Sequence, residues 1–169
     1  MTKPVMTFAL IILSHLIMHA QENVLWKFKT NDRVYSSALI VDKVVYFGSG
    51  DHNFYAVAKN SGSKIWEFKT EGAVHSSAAT FQNMVYFSSA DGNLYALDKT
   101  NGKLVWKFAS KGEKRYGLWD YYLSSPKVAD GVIFWGSGDG HLYAIEGTNG
   151  SLKWKYKTDD IVHASPVVD

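Results

Sequence analysis

Along most of the chain apolar and polar positions alternate with a period of two, the pattern of strands with one face buried in a sheet. Residues 74–108 show it in full. Val74–Phe81 predicts a first strand that contains the pair Ser76-Ser77, and Gln82-Asn83 predicts a turn. Met84–Ser88 predicts a second strand. Ala90-Asp91-Gly92-Asn93 reads as a tight hairpin turn, since Asp-Gly accepts the positive φ that such turns require. Leu94–Asp98 predicts a third strand, Thr100-Asn101-Gly102 another turn, and Lys103–Phe108 a fourth strand ending in Trp-Lys-Phe. Four short antiparallel strands in about 40 residues describe one blade of a β-propeller.

The same pattern recurs. Trp26, Trp66, Trp106 and Trp154 lie 40, 40 and 48 residues apart, and the last two spacings return in Asp51, Asp91 and Asp139. They return again in Tyr55, Tyr95 and Tyr143, and in Gly62, Gly102 and Gly150. A period near 40 implies an array of supersecondary units. The expected fold is all-β: three blades at about residues 34–70, 74–110 and 122–158. A lone fourth strand, Val24–Lys29, precedes them and a lone first strand, Val162–Val168, follows. Closed propellers usually have four to eight blades. The chain therefore reads as a partial propeller, a fragment of a longer array, with assembly of several copies as the other route to a ring.

Each blade carries an eleven-residue signature. The first copy runs Ala56-Val57-Ala58-Lys59-Asn60-Ser61-Gly62-Ser63-Lys64-Ile65-Trp66, the second runs from Ala96 to Trp106 with Gly102 at its centre, and the third from Ala144 to Trp154 with Gly150. A Trp on the outer strand can lie across the flat peptide surface of a Gly-containing turn, and a small Ala leaves room for it. Such a ring buries about 150–250 Å² and gains about 0.5–1.5 kcal/mol from stacking beyond its area. Trp26, Trp66, Trp106 and Trp154 are thus the expected docking residues, with Gly62, Gly102, Gly150, Ala56, Ala96 and Ala144 beneath them. The signature resembles the tryptophan-docking motif of pyrroloquinoline-quinone-type (PQQ-like) β-propeller repeats, over residues 24–168. Ala58 and Glu146 depart from it, since Asp is usual there, and a weaker turn is expected at both.

Composition adds a destination. Lys3 followed by the apolar stretch Val5–Met18 is too short for a bilayer span, which needs about 20 residues, and fits a secretory signal peptide ending near Ala20. The mature domain would then be residues 21–169, exported to the periplasm or cell surface, with no membrane span once the signal is removed. Eighteen basic against sixteen acidic residues leave a net charge of +2, which gives no electrostatic case for nucleic acid as partner. The chain has no cysteine, so disulfides, thiolate metal sites and a lipid-modified N-terminal Cys are excluded.

Candidate chemistry is sparse. Asp51, Asp91 and Asp139 recur once per blade, as turn residues do, whereas a catalytic group is unique. His75 and His163 occupy equivalent places on first strands, as wall or packing residues. The Ser pairs Ser36-Ser37, Ser76-Ser77 and Ser124-Ser125 recur as packing features. The outer-strand lysines read as a solvated edge that discourages strand addition. No nucleophile elbow, P-loop or zinc-protease motif is present. The eight extra residues before the third blade concentrate aromatic and basic side chains. Lys114, Arg115, Tyr116, Trp119 and Tyr121 are the candidate binding loop, either contacting a protein partner or small ligand or forming a packing lid. The resemblance implies two main roles. One is that of the family's non-enzymatic, BamB-like members, scaffolds of the bacterial envelope, with no cofactor. The other is that of the N-terminal piece of a PQQ-dependent alcohol or sugar dehydrogenase, with PQQ and calcium. A sensor domain of a larger receptor is a third.

Overall fold

The computed structural model describes residues 24–112 and 123–168. They form three four-stranded antiparallel sheets, each meandering in chain order. The first holds β1 (Leu39–Val41), β2 (Val44–Gly48), β3 (Asn53–Ala58) and β4 (Lys64–Lys69). The second holds β5 (Ala79–Phe81), β6 (Met84–Ser88), β7 (Asn93–Asp98) and β8 (Leu104–Ala109). The third holds β9 (Lys127–Ala129), β10 (Val132–Ser137), β11 (His141–Glu146) and β12 (Leu152–Lys157). Helices are absent from the described residues. This is the all-β, partial-propeller architecture that the period-two repeat predicts.

Register explains why the signature begins with Ala and ends with Trp. Tyr46 faces Ala56 across β2–β3, and Ala56 faces Trp66 across β3–β4. Tyr86, Ala96 and Trp106 form the same row in the second sheet, and Phe134, Ala144 and Trp154 in the third. Ala at the centre lets the flanking rings approach, with Tyr46–Trp66 and Tyr86–Trp106 centroids both 5.7 Å apart. Immediately past each Ala the register slips by one residue. Such a bulge increases local twist, and here it sits beside the docking Trp.

The apolar core lies between sheets. Phe54 stacks on Phe87 at 4.0 Å, and Val74, Val85, Tyr95 and Leu97 fill the first gap. Leu94, Ile133, Trp135, Tyr143 and Ile145 fill the second. Each sheet therefore buries both faces except where a neighbour is lacking, which suits the near-continuous apolar runs of β2, β3, β6 and β7.

The first strands differ from expectation. Val74–Phe81 was predicted as one strand, yet only Ala79–Phe81 joins the ladder. The reason is where the preceding backbone groups bond. Val74 N–H donates to Ser49 O of the previous sheet at 3.0 Å, and Ser77 N–H donates to Ser125 Oγ of the next at 2.9 Å. Val24–Lys29 and Val162–Val168 likewise belong to no ladder. They still dock on their neighbours, Val162 N–H donating to Ser137 O at 3.1 Å.

Candidate functional site

Three recurring constellations organise the molecule, and each starts from residues that the repeat spacing singles out. The first is the docked indole. Trp26 Nε1–H donates to Lys59 O at 2.7 Å, Trp66 to Lys99 O at 3.0 Å, and Trp106 to Gly147 O at 3.0 Å. Each acceptor stands three residues before the turn glycine of the next unit. The glycines themselves adopt φ of 69°, 71° and 75° at Gly62, Gly102 and Gly150. A Cβ there would lie 2.6–2.7 Å from the ring that covers it. Conformation and space thus both demand glycine. Trp66 and Trp106 are 8% and 9% exposed, whereas Trp154 is 46% exposed. Ala56, Ala96 and Ala144 are fully buried.

The second constellation surrounds Asp51, Asp91 and Asp139. Each carboxylate accepts the hydroxyl of the Tyr four residues on, from Tyr55 at 2.8 Å, Tyr95 at 2.7 Å and Tyr143 at 2.5 Å. Each also accepts a backbone N–H from the loop entering its blade, those of Asn31, Glu71 and Lys111. Partial burial opposes the charged form of Asp51, but the bonds from Asn31, Tyr55 and Asn53 outweigh it and hold the carboxyl below the usual range. Asp139 is lowered in the same way: burial again opposes, and Tyr143, the Lys111 N–H and His141 prevail. Burial, aided by the neighbouring carboxylate, raises Tyr55, Tyr95 and Tyr143 well above the ordinary phenol range.

The third constellation was only partly legible. The second Ser of each pair forms a ladder running from blade to blade. Ser37 N–H donates to Ser77 Oγ at 2.8 Å, Ser77 N–H to Ser125 Oγ at 2.9 Å, and Ser125 N–H to Ser165 Oγ at 2.9 Å. The first Ser works within its own blade at Ser36 and Ser76, Ser76 Oγ donating to Ser88 O and accepting from Ser88 N–H, whereas Ser124 Oγ accepts from Gly136 N–H and donates to Ala164 O of the next segment. Recurrence pointed to packing; the directional bonding between neighbours needed coordinates. His75 packs edge-on against Tyr35, ring centroids 5.0 Å apart, and the Tyr35 hydroxyl accepts from Arg33. His163 occupies the matching place in the last segment and is half-buried.

Sequence reasoning missed Tyr86. Its hydroxyl donates to Gly147 O at 3.0 Å, the same carbonyl that Trp106 uses. Burial, with the charge of Glu146 adding to it, pushes this phenol up to about 12. The motif departures change the bonding at the turns. Asp98 Oδ1 accepts from both Thr100 and Asn101 N–H. Ala58 has no side chain to do so, whereas the Glu146 carboxylate accepts from Thr148, backbone and hydroxyl, and from Lys153 Nζ. The candidate loop residues Lys114, Arg115, Tyr116, Trp119 and Tyr121 lie outside the described residues.

Among the described residues, no three His, Asp or Glu side chains come together as metal ligands. Calcium needs six to eight oxygens, and each recurring carboxylate is already engaged within its blade. No helix among the described residues is long and apolar enough to cross a membrane.

Comparison with known proteins agrees with this geometry. A search of curated proteins found no match. Among solved structures, BamB from Moraxella catarrhalis superposes with a TM-score of 0.66 and 19% identity, over 79% of this chain and 39% of that one. The quinohemoprotein alcohol dehydrogenase from Comamonas testosteroni gives 0.62 and 23% identity, over 75% of this chain and 21% of that one. The computationally designed Ika4 protein gives 0.68 and 13% identity, over 83% of both chains. The chain thus spans well under half the length of the two natural proteins. The family model described as outer membrane protein assembly factor BamB matches residues 15–120 and again residues 54–169. With the signature, the register and the docked turns in place, the chain belongs to this BamB-type family of PQQ-like β-propeller repeats.

Proposed function

We propose that the chain acts as a non-catalytic binding or assembly scaffold, exported to the bacterial cell envelope. The supporting observation is how the recurring polar groups are used. In all three blades the same Asp oxygens take a Tyr hydroxyl and a loop N–H. Groups engaged identically three times hold turns in place, whereas a reacting group is needed once. The family model points the same way, being that of an assembly factor. Specific contact is assigned to Arg115 and Trp119. In that role Arg115→Ala with Trp119→Ala removes partner binding at unchanged denaturation midpoint; a loss of stability alone makes the segment a lid. A dehydrogenase reading draws on the shared fold with the quinohemoprotein alcohol dehydrogenase. Incubation with PQQ and calcium, followed by dye reduction with a panel of alcohols and sugars, separates the two. The scaffold gives no turnover, and substrate-dependent turnover overturns it.

A further inference from the structure

The two seams between the three sheets are built from equivalent positions, yet they are not filled alike. At the second seam Phe81 and Met84 pack on the apolar core. The Phe81 ring lies so near Gly131 that a Cβ there would stand 3.2 Å from it, and the Tyr86 hydroxyl donates to Gly147 O. At the first seam Val41 and Val44 occupy the places of Phe81 and Met84, and both are smaller. Asn83 and Lys99 occupy those of Gly131 and Gly147. The result is a solvent-open cavity of about 240 Å³. Val41, Asp42, Val44 and Tyr46 line it from the first sheet, and Asn83, Lys99 and Thr100 from the second. Both of these sheets have all four strands.

The polar groups around this cavity lack protein partners. Tyr46 is 3% exposed, but its hydroxyl makes no hydrogen bond among the described residues, in contrast to that of Tyr86. Burial, with the charges of Asp42 and Asp98 adding to it, raises this phenol above its ordinary range, so it stays protonated and able to donate. Asp42 and Lys99 come from opposite sheets, and neither forms an ion pair among the described residues. Asp42 repels a simple anion, and Lys99 repels a simple cation. A neutral polyol leaves both charges unanswered, whereas a molecule that carries one charge of each sign answers both. The space suffices for a small one, since an apolar protein cavity of roughly 150 Å³ takes up benzene.

We propose that this seam binds a small zwitterion, a free α-amino acid, its carboxylate taken by Lys99 and the Tyr46 hydroxyl and its ammonium by Asp42. Val41 and Val44 supply the apolar wall beside its carbon skeleton, and its side chain points toward solvent. A ligand held by both sheets adds to the nearest-neighbour interaction between two units and stabilises the folded chain as its occupancy rises. The Asp42 and Lys99 side chains take no part in the docked indole, so the site is independent of the scaffold role.

The test is isothermal titration of the full chain with L-serine, L-leucine, L-glutamate and L-lysine in turn. At least one should bind saturably, whereas propionate, ethylamine and glucose, which lack one charge or both, should not. Asp42→Asn and Lys99→Gln should each weaken binding roughly ten-fold or more, as loss of a charged hydrogen-bond partner does. Both changes spare the fold: Asn suits the φ of 53° at Asp42, and Trp66 uses only the backbone carbonyl of Lys99. Val41→Phe, which supplies the ring present at Phe81, should fill the cavity and abolish binding. Circular dichroism checks that each variant is folded. No saturable binding of any of the four amino acids overturns the proposal. So does equal binding of glucose or propionate, or undiminished binding by any of the three variants.

Discussion

Trp106 and Trp154 are the same residue of the same repeat, 48 positions apart, and they live in different surroundings. Trp106 sits in a row with Tyr86 and Ala96, covers Gly150 and donates to Gly147 O. Trp154 sits in a row with Phe134 and Ala144 and covers no described turn. The difference is 9% against 46% exposure, and it arises wholly from what stands on the next unit. Strand pairing within a sheet aims the indole; only a neighbouring sheet gives it a surface to bury against. Stability in such arrays is close to a sum of unit and nearest-neighbour terms. One substitution made at both positions therefore reads the neighbour term directly.

The largest contrast is expected there. Trp106→Ala should lose about 3–5 kcal/mol in urea unfolding, the usual range for a buried aromatic truncated to Ala. Trp154→Ala should fall within about 0.5 kcal/mol of wild type, as surface substitutions do. Equal losses at the two sites would break the comparison. Gly102→Val approaches the same clamp from the turn side. It forces a branched residue to φ 71° and places its Cβ 2.7 Å from the Trp66 ring. A loss of about 2–4 kcal/mol follows from backbone strain and overpacking together, and a neutral result in thermal melts would mean that Trp66 is not held there.

A smaller effect sharpens the picture along the serine ladder. Ser125→Ala removes the acceptor for Ser77 N–H and should cost about 1 kcal/mol. Ser37→Ala should cost less, since no described N–H donates to the Ser37 hydroxyl; chemical denaturation of both variants checks the order.

The smallest expected effect is electrostatic. Asp51 and Asp139 are held below the ordinary Asp value of 3.8 in the folded state. The unfolded chain therefore takes up these protons first on acidification. Their stabilisation is full above the unfolded value and is lost as pH falls below it, through the folded value. Asp51→Asn combined with Asp139→Asn should flatten the acid limb of a melting-temperature profile below about pH 4, while leaving its slope near neutrality unchanged.

Most of this fold was legible in the repeat. Period-two alternation located the inner strands closely: Met84–Ser88 is the predicted second strand, and the third starts one residue earlier than expected, at Asn93. The short first strands were not legible. Residues 74–78 have strand-like composition, yet the Val74 and Ser77 N–H groups donate to Ser49 O and Ser125 Oγ, and it is the Ser76 hydroxyl that bonds the Ser88 backbone. Tyr86 escaped notice for a similar reason. Nothing local marks its hydroxyl as the partner of a carbonyl 61 residues away.

The chain by itself determined which residues recur, and so which side chains share a row: an alternating pattern sets the face of every residue, and a fixed spacing sets its equivalent in the next unit. Tertiary structure decided which of those equivalent residues are buried. Burial and directional bonding between sheets depend on the surface opposite, and four tryptophans in one motif carry no mark of which has a glycine turn beneath it.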